Sequence, residues 1–157
     1  MKKEIEFPKP YSISQFSEFS YNFTTENQTK YTIEVFTYED FTEIPLSGKI
    51  FSFSLYKWNN ENNTAKQDDR VYATVVKFLS DLLNDNANAV IVVFSNIDGK
   101  ELARKRLFDK WFDKVANDKI EKHNGKVNLD NKIVFTTLFI HADNAEKDII
   151  IEIFRNF

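Results

Sequence analysis

The chain has 157 residues and a formal net charge of −3; 42% of it is hydrophobic and 15% aromatic, including 16 Phe. A chain this long buries roughly 70% of its unfolded surface, so this composition excludes disorder and predicts a folded core. Three Gly, three Pro and no Cys exclude a collagen-like or Pro-rich chain, a disulfide framework, thiolate catalysis and any metal site built on sulfur.

The start, Met1-Lys2-Lys3-Glu4-Ile5-Glu6-Phe7-Pro8, is charged without an apolar segment behind it. The longest unbroken apolar run, Ala89 to Phe94, is far short of the about 18 residues that read as a membrane span. The expectation is one cytoplasmic domain over residues 1–157, with 1–10 a poorly ordered tail and no membrane partner.

Phe19, Tyr21 and Phe23 alternate with Ser20, Asn22 and Thr24, and Tyr31, Ile33 and Val35 alternate with Thr32 and Glu34. Period two predicts half-buried strands, joined by a polar turn at Glu26, Asn27 and Gln28. Phe51, Phe53 and Leu55, set against Ser52 and Ser54, add a third strand, giving an antiparallel meander with one wet face. The Asn-rich stretch from Asn59 to Gln67 reads as a loop. Asp68 or Asp69 then caps a helix whose apolar positions Tyr72, Val75, Val76, Leu79, Leu82 and Leu83 recur at three and four, ending near Asn84.

Ala89 to Phe94 is continuously apolar and β-branched, as in a central strand covered on both faces. Asn96-Ile97-Asp98-Gly99 is a turn, and Lys100 to about Asp118 is a second helix with Phe108, Trp111, Phe112 and Val115 on one side. Gly125 and an Asp130-Asn131 turn bracket a short strand, followed by an interior strand from Ile133 to His141. Asp143 or Asn144 caps a last helix carrying Ile149, Ile150, Ile151, Ile153, Phe154 and Phe157, a stripe wide enough to demand burial on more than one side. The order β-β-β-α-β-α-β-β-α predicts an α+β fold, with a mixed or antiparallel sheet of five to six strands and three helices mainly on one face. The last helix or a second subunit must cover the other face, and a homodimer is the expectation.

Candidate chemistry is sparse. The strand-to-helix passage Phe94-Ser95-Asn96-Ile97-Asp98-Gly99-Lys100 could hold an anion, yet it lacks both the P-loop spacing and the glycines of a dinucleotide turn. No cofactor is implied. Arg104 falls within the apolar arc of its helix while Arg106 points elsewhere; Arg104 is either paired with Glu101 or lines a pocket as a bidentate donor to carboxylate or phosphate. His141 with Asp143 two residues on could form an oriented acid/base, or simply end a strand and cap a helix. His123 reads as solvated loop, and no metal-ligand spacing is present. Residues 100–126 carry nine Lys/Arg against five Asp/Glu, but Asp109 and Asp113 interleave with Lys105, Arg106, Lys110 and Lys114 as on a solvated helix face, so nucleic-acid binding is weakly supported. Trp58 is the one aromatic expected to be exposed for stacking.

The runs Asp98-Gly99-Lys100, Arg104-Lys105-Arg106-Leu107-Phe108-Asp109-Lys110-Trp111-Phe112 and Ile140-His141-Ala142-Asp143-Asn144 resemble a family of short uncharacterised bacterial proteins, a domain of unknown function. Lys100 stands where that family carries an Arg. The resemblance implies a cytoplasmic single-domain protein with no established activity, and it draws Asp98, Arg104, Arg106, Trp111, His141 and Asp143 together as one cluster. Two readings follow. With no catalytic constellation complete, the first is a non-enzymatic protein-interaction or regulatory module that self-associates. The alternative is a ligand-binding or enzymatic domain acting on a phosphorylated small molecule or nucleic acid, with Asp98, Arg104 and Arg106 as ligand contacts and His141 with Asp143 as acid/base.

Overall fold

The computed structural model describes residues 8–38, 46–58, 68–94, 105–106, 108–110, 112–113 and 119–156. Seven strands and two complete helices are described: β1 (Ser14–Ser17), β2 (Ser20–Thr24), β3 (Lys30–Thr37), β4 (Ile50–Lys57), α1 (Asp69–Leu82), β5 (Ala89–Phe94), β6 (Ile120–Leu129), β7 (Lys132–His141) and α3 (Lys147–Arg155). Between β5 and β6 the described residues 105–106, 108–110 and 112–113 are helical, and this segment is α2.

The strands form one mixed sheet in the order β1-β2-β3-β4-β5-β7-β6. Neighbours are antiparallel except β4 and β5, which run parallel because α1 carries the chain back to the starting edge of β4. The architecture is α+β, with one strand more than the upper expectation. The extra strand is β1, whose Ser-Gln-Phe-Ser sequence is exposed throughout and offers no alternation to read; its register slips between Gln15 and Ser17.

Alternation along the strands separates two cores. On the α1 face Phe23, Ile33, Val35, Phe53, Val90, Val92 and Phe139 pack with Val71, Val75, Val76 and Leu79 of α1 and with Phe108 and Phe112 of α2. On the opposite face, hereafter the α3 face, Ile50, Ala89, Ile91, Leu138 and Ile140 pack against Ile150 and Phe154. β5 and β7 contribute to both, as their doubly apolar sequences predict, and both are interior. Each fully buried aliphatic or aromatic side chain contributes about 1.5–3 kcal/mol, and β5 and β7 supply such side chains on both faces of the sheet.

Several local expectations change. Gly125 does not bound β6 but lies in its middle, because a Cβ there would meet Phe154 Cζ at 2.7 Å and Thr136 Oγ1 at 2.8 Å, so the strand stays bare where α3 crosses it. His123 is therefore a strand residue, half-buried, and not solvated loop. Phe19 lies in the turn before β2 and meets Phe36 in a tilted ring contact, 5.4 Å between centres, away from the α1-face core that Tyr21 and Phe23 join. The last helix starts at Lys147, later than the Asp143 or Asn144 cap implied, and Asn144 Oδ1 instead accepts from Glu146 N at 2.8 Å. Nor is α3 buried on several sides: Ile150 and Phe154 are buried, Ile151 and Ile153 are partly covered, and Ile149 is 36% exposed. The β6–β7 turn is as expected, with Asp130 and Asn131 at φ 50° and 64°, the two left-handed positions of a two-residue hairpin.

Candidate functional site

In open sheets a ligand seat commonly lies outside the carboxyl ends of strands where the connection direction switches. Here the only parallel pair, β4 and β5, and the helix α1 between them mark that place among the described residues. At the start of α1, Asp68 Oδ1 accepts from Arg70 N at 2.9 Å, the side-chain cap that the sequence predicts. Its Oδ2 accepts from the Tyr11 hydroxyl at 2.5 Å. The Arg70 guanidinium lies 3.9 Å above the Tyr11 ring, donates to Lys9 O at 2.8 Å and pairs with Glu26 at 2.6 Å. Burial, followed by the bond to Asp68, raises the Tyr11 pKa. The helix end where an external anion would bind thus already holds the protein's own carboxylate, with Asp69 beside it in the first turn. The cluster works as a tether that fastens the chain around Lys9 and Tyr11 to α1.

His141 ends β7 half-buried, and its Nε2 lies 2.6 Å from Leu83 O at the end of α1. A carbonyl only accepts, so Nε2 donates to it, and any base chemistry of this ring falls to Nδ1. Among the described residues no hydrogen bond joins His141 to Asp143, which is exposed. Arg106 is exposed on α2. Its neighbour Lys105 pairs with Asp109 at 2.9 Å, and Lys122 reaches Asp109 at 3.4 Å and Asp113 at 3.7 Å. Asp109 Oδ1 is buried without a true hydrogen bond, so Lys122 serves it by charge alone. Two lysines of the basic stretch, Lys105 and Lys122, are thereby answered by acids of the same stretch. Asp98, Arg104 and Trp111, which the sequence reading grouped with these residues, lie outside the described residues. So do Glu101, Val115, Phe157 and the stretch 59–67. No group of three metal-capable side chains occurs among the described residues, and no described helix is long and apolar enough to cross a membrane.

The feature least explained by stability is the α3 face of β2, β3 and β4. α3 lies over β7 and β6, and its core reaches β4 only at Ile50. Further along, Phe36 is 46%, Tyr56 43% and Trp58 55% exposed, with Phe19 against Phe36. Six steps of β3 from Lys30 to Phe36 span about 20 Å. Trp58 is held in place: its Nε1 donates to Thr32 Oγ1 at 2.8 Å, Thr32 donates to Asn22 Oδ1 at 2.7 Å, and Lys30 Nζ stands 4.8 Å from the ring centre. Trp58 matches the exposure expected from sequence, whereas Phe36 and Tyr56 add to it. The signal existed: Phe36 shares parity with Thr32 and Glu34, and Tyr56 with Ser52 and Ser54, which put both on the wet face.

Fold and surface together define an α+β domain with a seven-stranded mixed sheet; among the described residues one half of it is clothed on both faces and the other half is bare on one. Residues 67–156 match the model of a family of unknown function, DUF6169, and the chain belongs to that family. No curated protein and no solved structure matches it.

Proposed function

We propose that this protein is a non-enzymatic interaction module of the bacterial cytoplasm, which self-associates and holds a partner protein against the bare sheet face. One observation carries the reading: exposed aromatic side chains stand at both ends of this face of β3 and β4, Phe36 on one side of the Glu34–Ser54 pair and Tyr56 with Trp58 on the other, and the Trp is already fixed by hydrogen bonds. Exposed aromatic side chains that are rigid before binding lose little entropy on contact, which is why such residues anchor protein interfaces. The enzymatic alternative relies on His141 with Asp143 as acid/base; among the described residues that ring bonds through Nε2 to Leu83 O, not to Asp143, which leaves it Nδ1 alone.

The test is a paired one. Phe36→Ser with Tyr56→Ser replaces two exposed rings, so the variant should stay folded and lose no more than ~1 kcal/mol of stability, about 0.5 kcal/mol for each surface change. The proteins retained from a native lysate by the wild type should fall at least tenfold. Equal retention by the double variant removes the face from the reading. If instead a nucleotide or another phosphorylated compound shifts the melting temperature of the wild type and His141→Asn loses that shift while folded, the enzymatic alternative takes its place.

A further inference from the structure

The sheet has two edges, and they differ in kind. β1 is four residues long and irregular, which blunts it against pairing. β6 has ten residues, pairs with β7 without a break from Ile120 to Leu129, and forms the opposite edge. Long regular edges are usually protected by outward lysines. Here Lys122 turns onto the α1 face toward Asp109 and Asp113, and Lys126 Nζ sits 5.8 Å from the Phe135 ring centre. The edge that most needs blunting has its charges folded back over the sheet.

The phase of the ladder fixes which backbone groups are free. Ala142 N donates to Lys119 O, and Leu129 pairs with Lys132 across a two-residue turn, so odd-numbered positions of β6 bond to β7. The N–H and C=O groups of Ile120, Lys122, Asn124, Lys126 and Asn128 therefore face outward. These five positions are symmetric about Asn124.

We propose that β6 pairs antiparallel with β6 of a second copy about a two-fold axis at Asn124, joining two sheets into one of fourteen strands. This rests on the self-association in the reading above and assigns it a surface. In that register Asn124 faces its own copy, Ile120 faces Asn128, and Lys122 faces Lys126, whose ammonium groups are already drawn inward. All ten outward groups of each strand find partners. On the α3 face His123 comes opposite Gly125, the one position without a side chain to crowd it. A second copy is favoured over an unrelated strand because one two-fold operation satisfies every free group and closes the assembly at two, leaving only the blunt β1 edges outside.

The experiment uses the full chain. Light scattering should give twice the 18.5 kDa chain mass. Asn124→Pro removes only an outward N–H, which edge strands tolerate, and should halve that mass. The native chain has no Cys, so Asn124→Cys introduces a single thiol. Facing residues of a hydrogen-bonded pair lie about 5.5 Å apart at Cα, within disulfide range, so mild oxidation should yield a covalent dimer, while Ser17→Cys on the β1 edge should not. A monomeric wild type overturns both this proposal and the self-association it rests on. A dimer whose mass survives Asn124→Pro and which Asn124→Cys fails to cross-link overturns the β6 interface alone.

Discussion

Two of the three glycines stand at close approaches and differ in what they approach. A Cβ on Gly48 would lie 1.9 Å from Ala87 O and 2.3 Å from Ala87 C, a backbone that Asn88 and Lys49 hold through a side-chain bond of 2.9 Å. At Gly125 the obstacles are the tip of the Phe154 ring and a hydroxyl, both able to rotate by a few tenths of an ångström. Gly48→Ala should therefore cost at least the upper end of the ~1–3 kcal/mol typical of overpacking, and Gly125→Ala should sit nearer its lower end. Urea unfolding of the two variants measures the order, and Gly125→Ala as the worse of the pair would contradict it. Neither obstacle is visible in sequence, since Ala87 and Phe154 are both far along the chain from the glycine they approach.

At the scale of elements, the attachment of α3 is electrostatic at its start and apolar along its length. Lys147 Nζ pairs with Glu121 at 3.3 Å, and Ser47 donates from N and Oγ to Glu146 Oε1 at 2.8 and 2.6 Å. The bond from Lys147 holds the Glu121 carboxyl below its ordinary pKa, with burial opposing and His123 assisting; the two bonds from Ser47 do the same for Glu146. A carboxylate whose folded pKa is depressed stabilises the fold above its unfolded pKa and loses that contribution as pH falls through the folded value. The wild type should thus weaken on acidification from the ordinary Glu range downward. Lys147→Met should flatten that acid limb by releasing Glu121, as melting curves across the acid range would show, and an unchanged limb would mean the pair is too solvated to matter. α3 also shows where sequence reading succeeds and stops. Its helical period, like that of α1 with the Asp68 cap, was legible because local spacing writes it. How deeply it is buried was not, because a stripe of isoleucines looks the same whether one side packs or two. The alternating strands β2 to β5 and β7 were legible for the same local reason. β1, having a single apolar residue, carries no such signal, and the sequence does not show that β6 runs through Gly125, because a glycine inside a strand and a glycine ending one are the same letter. For the site, the parity of Trp58, Tyr56 and Phe36 was readable, but whether a helix covers that face is a long-range fact.

Across the described residues, burial is uneven: β5 and β7 are sealed on both faces, while β2, β3 and most of β4 contribute buried apolar side chains on the α1 face alone. Pairing through β6 adds to the already sealed end. A two-fold axis perpendicular to the sheet would place both aromatic strips on the same side, roughly 40 Å apart at the usual strand spacing, so that one extended partner could meet both. Coupling of folding to association gives this arrangement a signature that needs no partner. Mass action stabilises a dimer as protein concentration rises, whereas a monomer's unfolding midpoint does not move. For a chain of this length a tenfold increase in concentration should raise the wild-type midpoint by roughly 2 °C. Asn124→Pro should start lower and show no such dependence, because the strand that links the copies then lacks its central donor. A wild-type midpoint independent of concentration, in a sample that scatters as a dimer, would mean the copies separate before either unfolds. The sealed half of each sheet would then hold its fold alone, with the β6 pairing a reversible contact laid on a finished domain.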